Sequence, residues 1–422
     1  MAQLPPLRRL SQILALSLWN TAKARTPAAA ARGSEAFRAA RAIAREIQVG
    51  DGLVVQRLSG QLPAGAGPLT IQFVGRSRFA RDARVFFDAA APIEETCLAR
   101  LSPFAFWRLR RSLRACPAGV DLLLVDSLLE STSDSDVHLV PYLNAVLPVQ
   151  VDIEAQLQLV RSKGGRRKLQ ACFKRGFNWR KSQSVADFDL FHDVMYAPFI
   201  AARFGEDAAA LPRETMKQIF LQRGFLLLLE EDGVPVSGAL MYTSSRSPST
   251  LCYWKYGIRD GATLPPAIFG ERNAHTEAMV LQFAVQARYT ELDFGLTRAL
   301  PSDGIFTHKK RLGCDFRRAR EAPSCRLLVR SEAQKRLVKQ FSLLVFSGAC
   351  MEAWVGDVSG LEERIEACLV PSLRQLRLFG GDDAPALDAL HRQRQALELC
   401  HKIPVLLGPQ APSQPAHLGE GA

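Results

Sequence analysis

Two neighbouring stretches hold residue types whose spacing could do chemistry. Glu291-Leu-Asp-Phe-Gly295 reads as a short buried strand, with Leu292 and Phe294 inward, that stops at a glycine. Asp303-Gly-Ile-Phe-Thr-His-Lys-Lys-Arg-Leu-Gly313 follows after a loop. A strand end that delivers an acid, Asp293, then a flexible turn and the paired Lys309 and Lys310, makes a place to hold an anionic or phosphorylated ligand. His308 is a candidate base, since histidine is the side chain whose ordinary charge change falls near neutral pH. His275 and Glu277 lie on the helix predicted before Asp293. They are two apart, so they share no face, and no role is assigned to them.

The elements that must position these residues come from the rest of the chain. At 422 residues the length predicts two or three domains of about 150 residues each. A hydrophobic content of 47% provides for real cores. The net charge of +12 points to anionic partners: nucleic acid, phosphorylated metabolites, CoA-type cofactors or anionic lipid heads. Nine cysteines stand singly, without a C-x-x-C or a Cys/His cluster at zinc spacing, which predicts reduced thiols and no metal. No run approaches the roughly 18 apolar residues that span a bilayer. The N-terminus, free of acid until Glu35, imitates targeting segments, but Ser11, Gln12 and Ser17 break its apolar part. The expected location is cytoplasmic, with a peripheral membrane placement as the alternative.

Hydrophobic periodicity divides the chain. Residues 1–48 read as a helical arm. Residues 49–160 read as a first mixed α/β half, with strands at Leu53–Val55, Leu69–Val74, Val120–Val125, Val137–Leu143 and Ala145–Val149, and a helix from Pro103 to Cys116. Residues 161–185 form a basic connecting helix. From Arg161 to Lys181 it has nine basic residues, no acid, and Phe173, Phe177 and Trp179 among them. That composition suits phosphate contact and base stacking, or a solvated helix whose aromatics pack inward. Residues 186–330 form a second half. Its hairpin turns at Asp232-Gly233, its helix covers Asn273–Ala287, and its last strands are Glu291–Phe294 and Arg326–Val329. Residues 331–402 read as a helical extension with an apolar stripe at Leu337, Val338, Phe341, Leu344, Val345 and Phe346. Residues 403–422 read as a disordered tail. The order of elements makes two similar mixed α/β halves without a direct sequence repeat.

From Val160 to Phe316 the chain resembles the FemAB-like members of the GNAT acyltransferase superfamily, also described as BioF2-like. Four stretches carry the resemblance: the basic helix Arg161–Lys181; Phe191–Gly205 with Tyr196 and Arg203-Phe-Gly205; the hairpin Gly224–Thr243; and Leu292-Asp-Phe-Gly295 followed by Lys309-Lys-Arg-Leu-Gly313. The resemblance implies two GNAT-like halves and an N-acyltransferase that moves an acyl group from acyl-CoA to an amine, in envelope or polysaccharide metabolism. It implies Lys309 and Lys310 at a ligand phosphate, Asp293 orienting the amine or taking its proton, and Arg203 and Tyr256 lining the acceptor groove. The family's CoA signature has two glycines after an Arg or Gln; Arg259-Asp-Gly-Ala-Thr-Leu264 lacks both in register. Two alternatives follow. One is an aminoacyl-tRNA donor, as FemAB-type enzymes use. The other is a non-catalytic module for nucleic acid or an anionic ligand, such as tRNA or a membrane surface.

Overall fold

The computed structural model describes residues 52 to 408 apart from 89, 103–104, 107–108, 110–112, 114–115, 127–136, 141, 205–211, 246, 319–324, 330, 348–349, 357–360, 380–393, 395–397 and 399–402. The expected N-terminal arm, the arginines of the expected helix at 103–116, and residues 409–422 of the expected tail lie outside them.

In the first half the strands are β1 (Leu53–Gln61), β2 (Pro68–Arg76), β3 (Glu94–Leu101), β4 (Leu122–Asp126), β5 (Val137–Leu139) and β6 (Tyr142–Pro148). Then come β7 (Asn178–Ser182), β8 (Gly224–Glu231), β9 (Val234–Ser244), β10 (Ser247–Ile258), β11 (Glu291–Arg298) and β12 (Asp315–Arg318). The last are β13 (Cys325–Val329), β14 (Leu343–Ser347), β15 (Cys350–Gly356), β16 (Leu373–Phe379) and β17 (Val405–Gly408). The helices used below are α1 (Ile153–Gln158), α2 (Lys163–Arg175), α3 (Val185–Leu190), α4 (Ala197–Phe204), α5 (Arg213–Arg223), α6 (Pro266–Gln286), α7 (Gly304–Arg311), α8 (Ser331–Gln340) and α9 (Leu361–Cys368).

The strands form two mixed sheets. One has ten strands in the order β17-β16-β15-β14-β5-β13-β4-β2-β1-β3, the other seven in the order β12-β6-β11-β10-β9-β8-β7. Each contains an antiparallel run that ends in a parallel pair: β1 and β2 lead to β2∥β4, and β8, β9 and β10 lead to β10∥β11. Each also takes a strand from the other half's stretch of sequence. β6 pairs antiparallel with β11, and β13 pairs antiparallel with β4. A mixed α/β fold with two related sheets is therefore present.

Five of the expected segments need correction. β6 lies within 49–160 yet completes the second sheet, and β13 lies within 186–330 yet joins the first. The basic stretch 161–185 is the helix α2 and then the edge strand β7, because Gly176 ends the helix at φ +73°. The expected helical extension is α8 followed by β14, β15, α9 and β16. Leu343–Phe346 is a contiguous apolar run buried on both faces, which fits a central strand as well as it fits a helix stripe. Val405–Gly408, expected to be disordered, pairs in parallel with β16.

One apolar core reaches from the α6 face of the second sheet, through Leu227, Met241, Ala278 and Leu292, to Leu344, Met351, Ala353 and Leu376 of the first sheet's later strands. A separate core under α3, α4 and α5 covers the other face of β8 and β9 with Phe188, Phe191, Met195 and Phe220. Gly257 admits the turn of helix there, because a Cβ on it would lie 2.6 Å from the backbone of Met195 and Tyr196. No helix among the described residues is long and apolar enough to cross a membrane.

Candidate active site

The site starts where two strands part. β10 and β11 run parallel for three pairs, Thr250–Glu291, Leu251–Leu292 and Cys252–Asp293, and then separate. β10 slips register against β9 between Tyr253 and Lys255, a bulge that frees backbone groups at Trp254 from the ladder. β11 slips against β6 between Asp293 and Leu296. Tyr253 and Phe294, one from each strand, remain in edge-to-face contact with ring centroids 5.5 Å apart.

Helix α6 connects the two strands and carries Glu277 on a face otherwise lined by Ala274, Ala278 and Leu281. Glu277 is only 8% exposed. Its Oε1 accepts from Asn273 Nδ2 at 2.7 Å, one helical turn back, and lies 2.8 Å from His308 Nε2. Its Oε2 accepts nothing from the described residues. His308 sits on α7, whose start is capped by Asp303: Oδ1 accepts from the Ile305 and Phe306 amides at 2.9 and 3.0 Å. Stacking of Phe306 on Phe316, centroids 4.2 Å apart, anchors that helix. His308 is half-exposed. Its Nδ1 has no partner among the described residues.

The structure brings His308, Lys309 and Asp293 together, with two changed roles. Lys309 is 8% exposed, and its ammonium donates to the carbonyls of Phe294 (2.8 Å), Gly295 (3.2 Å) and Leu296 (2.8 Å). An ammonium has three donors, so none is left for a ligand phosphate. Burial lowers its pKa to about 8, against the pull of the nearby Cys314, Asp293 and Asp303. Asp293 Oδ1 accepts from the Gly295 amide at 2.7 Å, and Oδ2 from Asn144 Nδ2 at 3.0 Å. It holds the turn at Gly295, where φ is +71°, rather than standing free as a base. Lys310 turns away: its ammonium donates to the Glu366 carbonyl of α9.

Tyr256 and Arg203 meet across Phe199. The Tyr256 and Phe199 centroids are 5.3 Å apart, and the Arg203 guanidinium lies 5.8 Å from the Phe199 centroid and 5.9 Å from that of Phe269. Burial pushes the Tyr256 phenol up to about 12. Tyr253, 6.2 Å away ring to ring, is also held well above its ordinary value by burial, with the Glu277 carboxylate adding to it. Glu277, to which the sequence reading gives no role, is the carboxylate that the structure brings to His308. Its signal was a carboxylate on the otherwise apolar face of a long helix, four residues after an asparagine.

The turn before α6 is poor in free amide donors. The Gly261 amide donates to Ile258, and those of Thr263 and Leu264 to Asp260. Pro265 and Pro266 at the helix start have no N–H at all. Arg259 is held by the Pro235 carbonyl through Nε at 2.9 Å.

The basic stretch is largely engaged within the protein. Arg175 pairs with Glu271 at 3.0 Å, and Lys168 donates to the Gly270 carbonyl. Arg166 donates to Val160 and Gln158, and Arg180 grips Asp187 through both terminal nitrogens. Phe173, Phe177 and Trp179 pack against the core. Lys163, Arg167 and Lys174 are exposed and make no ion pair among the described residues. Those residues hold no group of His, Cys, Asp and Glu side chains arranged for a metal.

No known protein family matches this chain, and no curated protein matches it. Among solved structures it is similar to FemX, at 11% identity and a TM-score of 0.35 over 69% of this chain and 92% of that one. It is similar to L-PGS from Bacillus licheniformis, at 10% identity and a TM-score of 0.32 over 69% and 91%. A third is a GCN5-related N-acetyltransferase-like protein from Streptococcus suis, at 12% identity and a TM-score of 0.24 over 65% and 89%.

Proposed function

We propose that the chain is an acyltransferase that joins the acyl group of an activated ester or thioester to an amine. The observation that carries this reading is the 2.8 Å contact of His308 Nε2 with Glu277 Oε1 beside the parting strands. Attack requires a free amine, and most amines are protonated at neutral pH. His308 Nδ1 takes the amine's proton while Glu277 fixes the ring and stabilises the imidazolium. The amine nitrogen then bonds to the acyl carbon and releases its second proton to water, the carbon–oxygen or carbon–sulfur bond to the carrier breaks, and His308 returns its proton to the departing atom. The bulge at Trp254 supplies backbone donors for the tetrahedral oxyanion. Tyr253, Tyr256, Arg203 and Phe294 form the walls. The resemblance alone directs the acceptor amine to envelope or polysaccharide metabolism.

The donor admits a second reading. The engaged amides at Gly261, Thr263 and Leu264, with two prolines following, leave a weak cradle for a CoA pyrophosphate. This favours an aminoacyl-tRNA ester over acyl-CoA, with Lys163, Arg167 and Lys174 placed to touch phosphates.

Calorimetric titration with acetyl-CoA, longer acyl-CoAs and an aminoacyl-tRNA at two salt concentrations separates the readings. Saturable CoA binding supports the thioester donor. Binding of the charged tRNA alone, weakening steeply with salt, supports the ester donor. If an amine acceptor yields no amide with any bound donor, the acyltransferase reading fails and a binding module remains.

A further inference from the structure

We propose that Lys309 is a positioning residue whose bound proton holds β11 in register with the helix that carries His308. The inference rests on the reading of His308 and Glu277 as the reacting pair. Its geometry stands apart from that reading.

Successive carbonyls of a regular strand point to opposite sides. Those of Phe294, Gly295 and Leu296 converge on one nitrogen. That requires the strand to break, and three features make the break. Gly295 adopts φ +71°, the pairing with β6 slips between Asp293 and Leu296, and the Asp293 side chain accepts from the Gly295 amide. The ammonium is the centre around which this turn is built. One side of the turn carries Phe294, in contact with Tyr253; the residue just before Lys309 on α7 is His308.

A neutral amine has two N–H donors and a lone pair. Set against three carbonyls, it must leave one of them facing the lone pair. Loss of the proton therefore loosens one of the three ties between β11 and α7. The groups that face the ammonium are Asp293 on β11, Asp303 at the start of α7 and Cys314 just after it. Asp293 and Asp303 are themselves bonded to backbone amides, and the Cys314 thiol is raised to about 12 by burial. Lys309, lowered to about 8, is the member of this group placed to change charge in mildly alkaline solution.

The test uses the full chain, methyl-labelled at Ile and Leu, followed by NMR from about pH 6 to about pH 10, which spans the shifted and ordinary lysine ranges. Leu296, whose carbonyl accepts from the ammonium, and Ile305, four residues before Lys309 on α7, are both exposed and report on the turn and the helix. The expected result is a shared transition of both methyl signals near pH 8 in the wild type. It should be absent in Lys309→Arg, which keeps its charge, and in Lys309→Met if that variant folds. Flat signals in the wild type overturn the proposal, and so does a transition that persists in Lys309→Arg. His308→Ala separates the two readings. It should abolish acyl transfer and leave the transition near pH 8 in place, so failure to find a transferase would not touch the clamp.

Discussion

The Lys309 ammonium donates to the Leu296 carbonyl at 2.8 Å, so a cation that the sequence offered to a ligand is taken by the strand before it. The buried charge has a measurable consequence for stability. The folded pKa, about 8, lies below the ordinary lysine value of 10.5, so between these values the folded chain holds fewer protons than the unfolded one. Stability contributed by this group is present above the unfolded pKa and is lost as pH falls through the folded pKa. Wild type should therefore gain on the order of 3 kcal/mol relative to Lys309→Met as pH rises through that window. Urea denaturation at a series of pH values checks this. A constant difference between the two proteins would count against it.

Glu277→Gln keeps the size of the side chain and removes the charge that faces His308. Transfer should fall by roughly 10²- to 10⁴-fold in kcat, with donor affinity little changed. Steady-state kinetics and calorimetry on the same preparation read the two quantities. A loss confined to KM would make Glu277 a binding residue instead.

Gly313 ends the helix that carries His308, at φ +99°, and a Cβ there would lie 2.3 Å from the Leu159 carbonyl oxygen. Gly313→Ala should cost at least about 2 kcal/mol, since neither the backbone conformation nor the neighbouring carbonyl can give way cheaply. Gly304, at the other end of the same helix, has nothing within 4 Å of the same imagined carbon and no positive φ. Gly304→Ala should be neutral or stabilise by about 0.5 kcal/mol. Paired urea curves decide, and equal effects would refute the packing argument.

Arg76 and Asp126 form a buried bidentate pair at the ends of β2 and β4, with nitrogen–oxygen distances of 2.7 and 3.1 Å. The Asp126 side chain is fully buried. Arg76→Met leaves that carboxylate without its charged partner and should cost about 3 to 5 kcal/mol. The double variant Arg76→Met/Asp126→Leu should recover a good part of the loss. No recovery would mean that the pair contributes through something other than charge compensation.

Local chemistry was legible in the sequence. Asp232 and Gly233 both adopt positive φ, 51° and 75°, as a tight hairpin turn of Asp-Gly requires, and β8 and β9 flank them as expected. The strand that starts at Glu291 is present but runs on through Gly295 to Arg298, and the caps at Asp152 and Asp303 are of residue types that favour that position. What was hidden depends on partners distant in the chain. Nothing local says that Glu277 meets His308, or that three carbonyls occupy Lys309. The strands β14 to β16 were hidden for another reason: an apolar run buried on both faces has no period with which to tell strand from helix.

The exchange of β6 and β13 between the two sheets fixes the order in which the chain can fold. Leu147 finds its partner Leu292 only after the chain has been made through β11, and Leu124 waits still longer for Leu327. Each half therefore keeps one edge of its central sheet open until the other supplies a strand. Contacts of such long sequence separation slow folding and prolong the exposure of apolar edges. The same exchange makes the two halves one cooperative unit, so a cut at the boundary near residue 160 would give two fragments, each with an unfinished sheet.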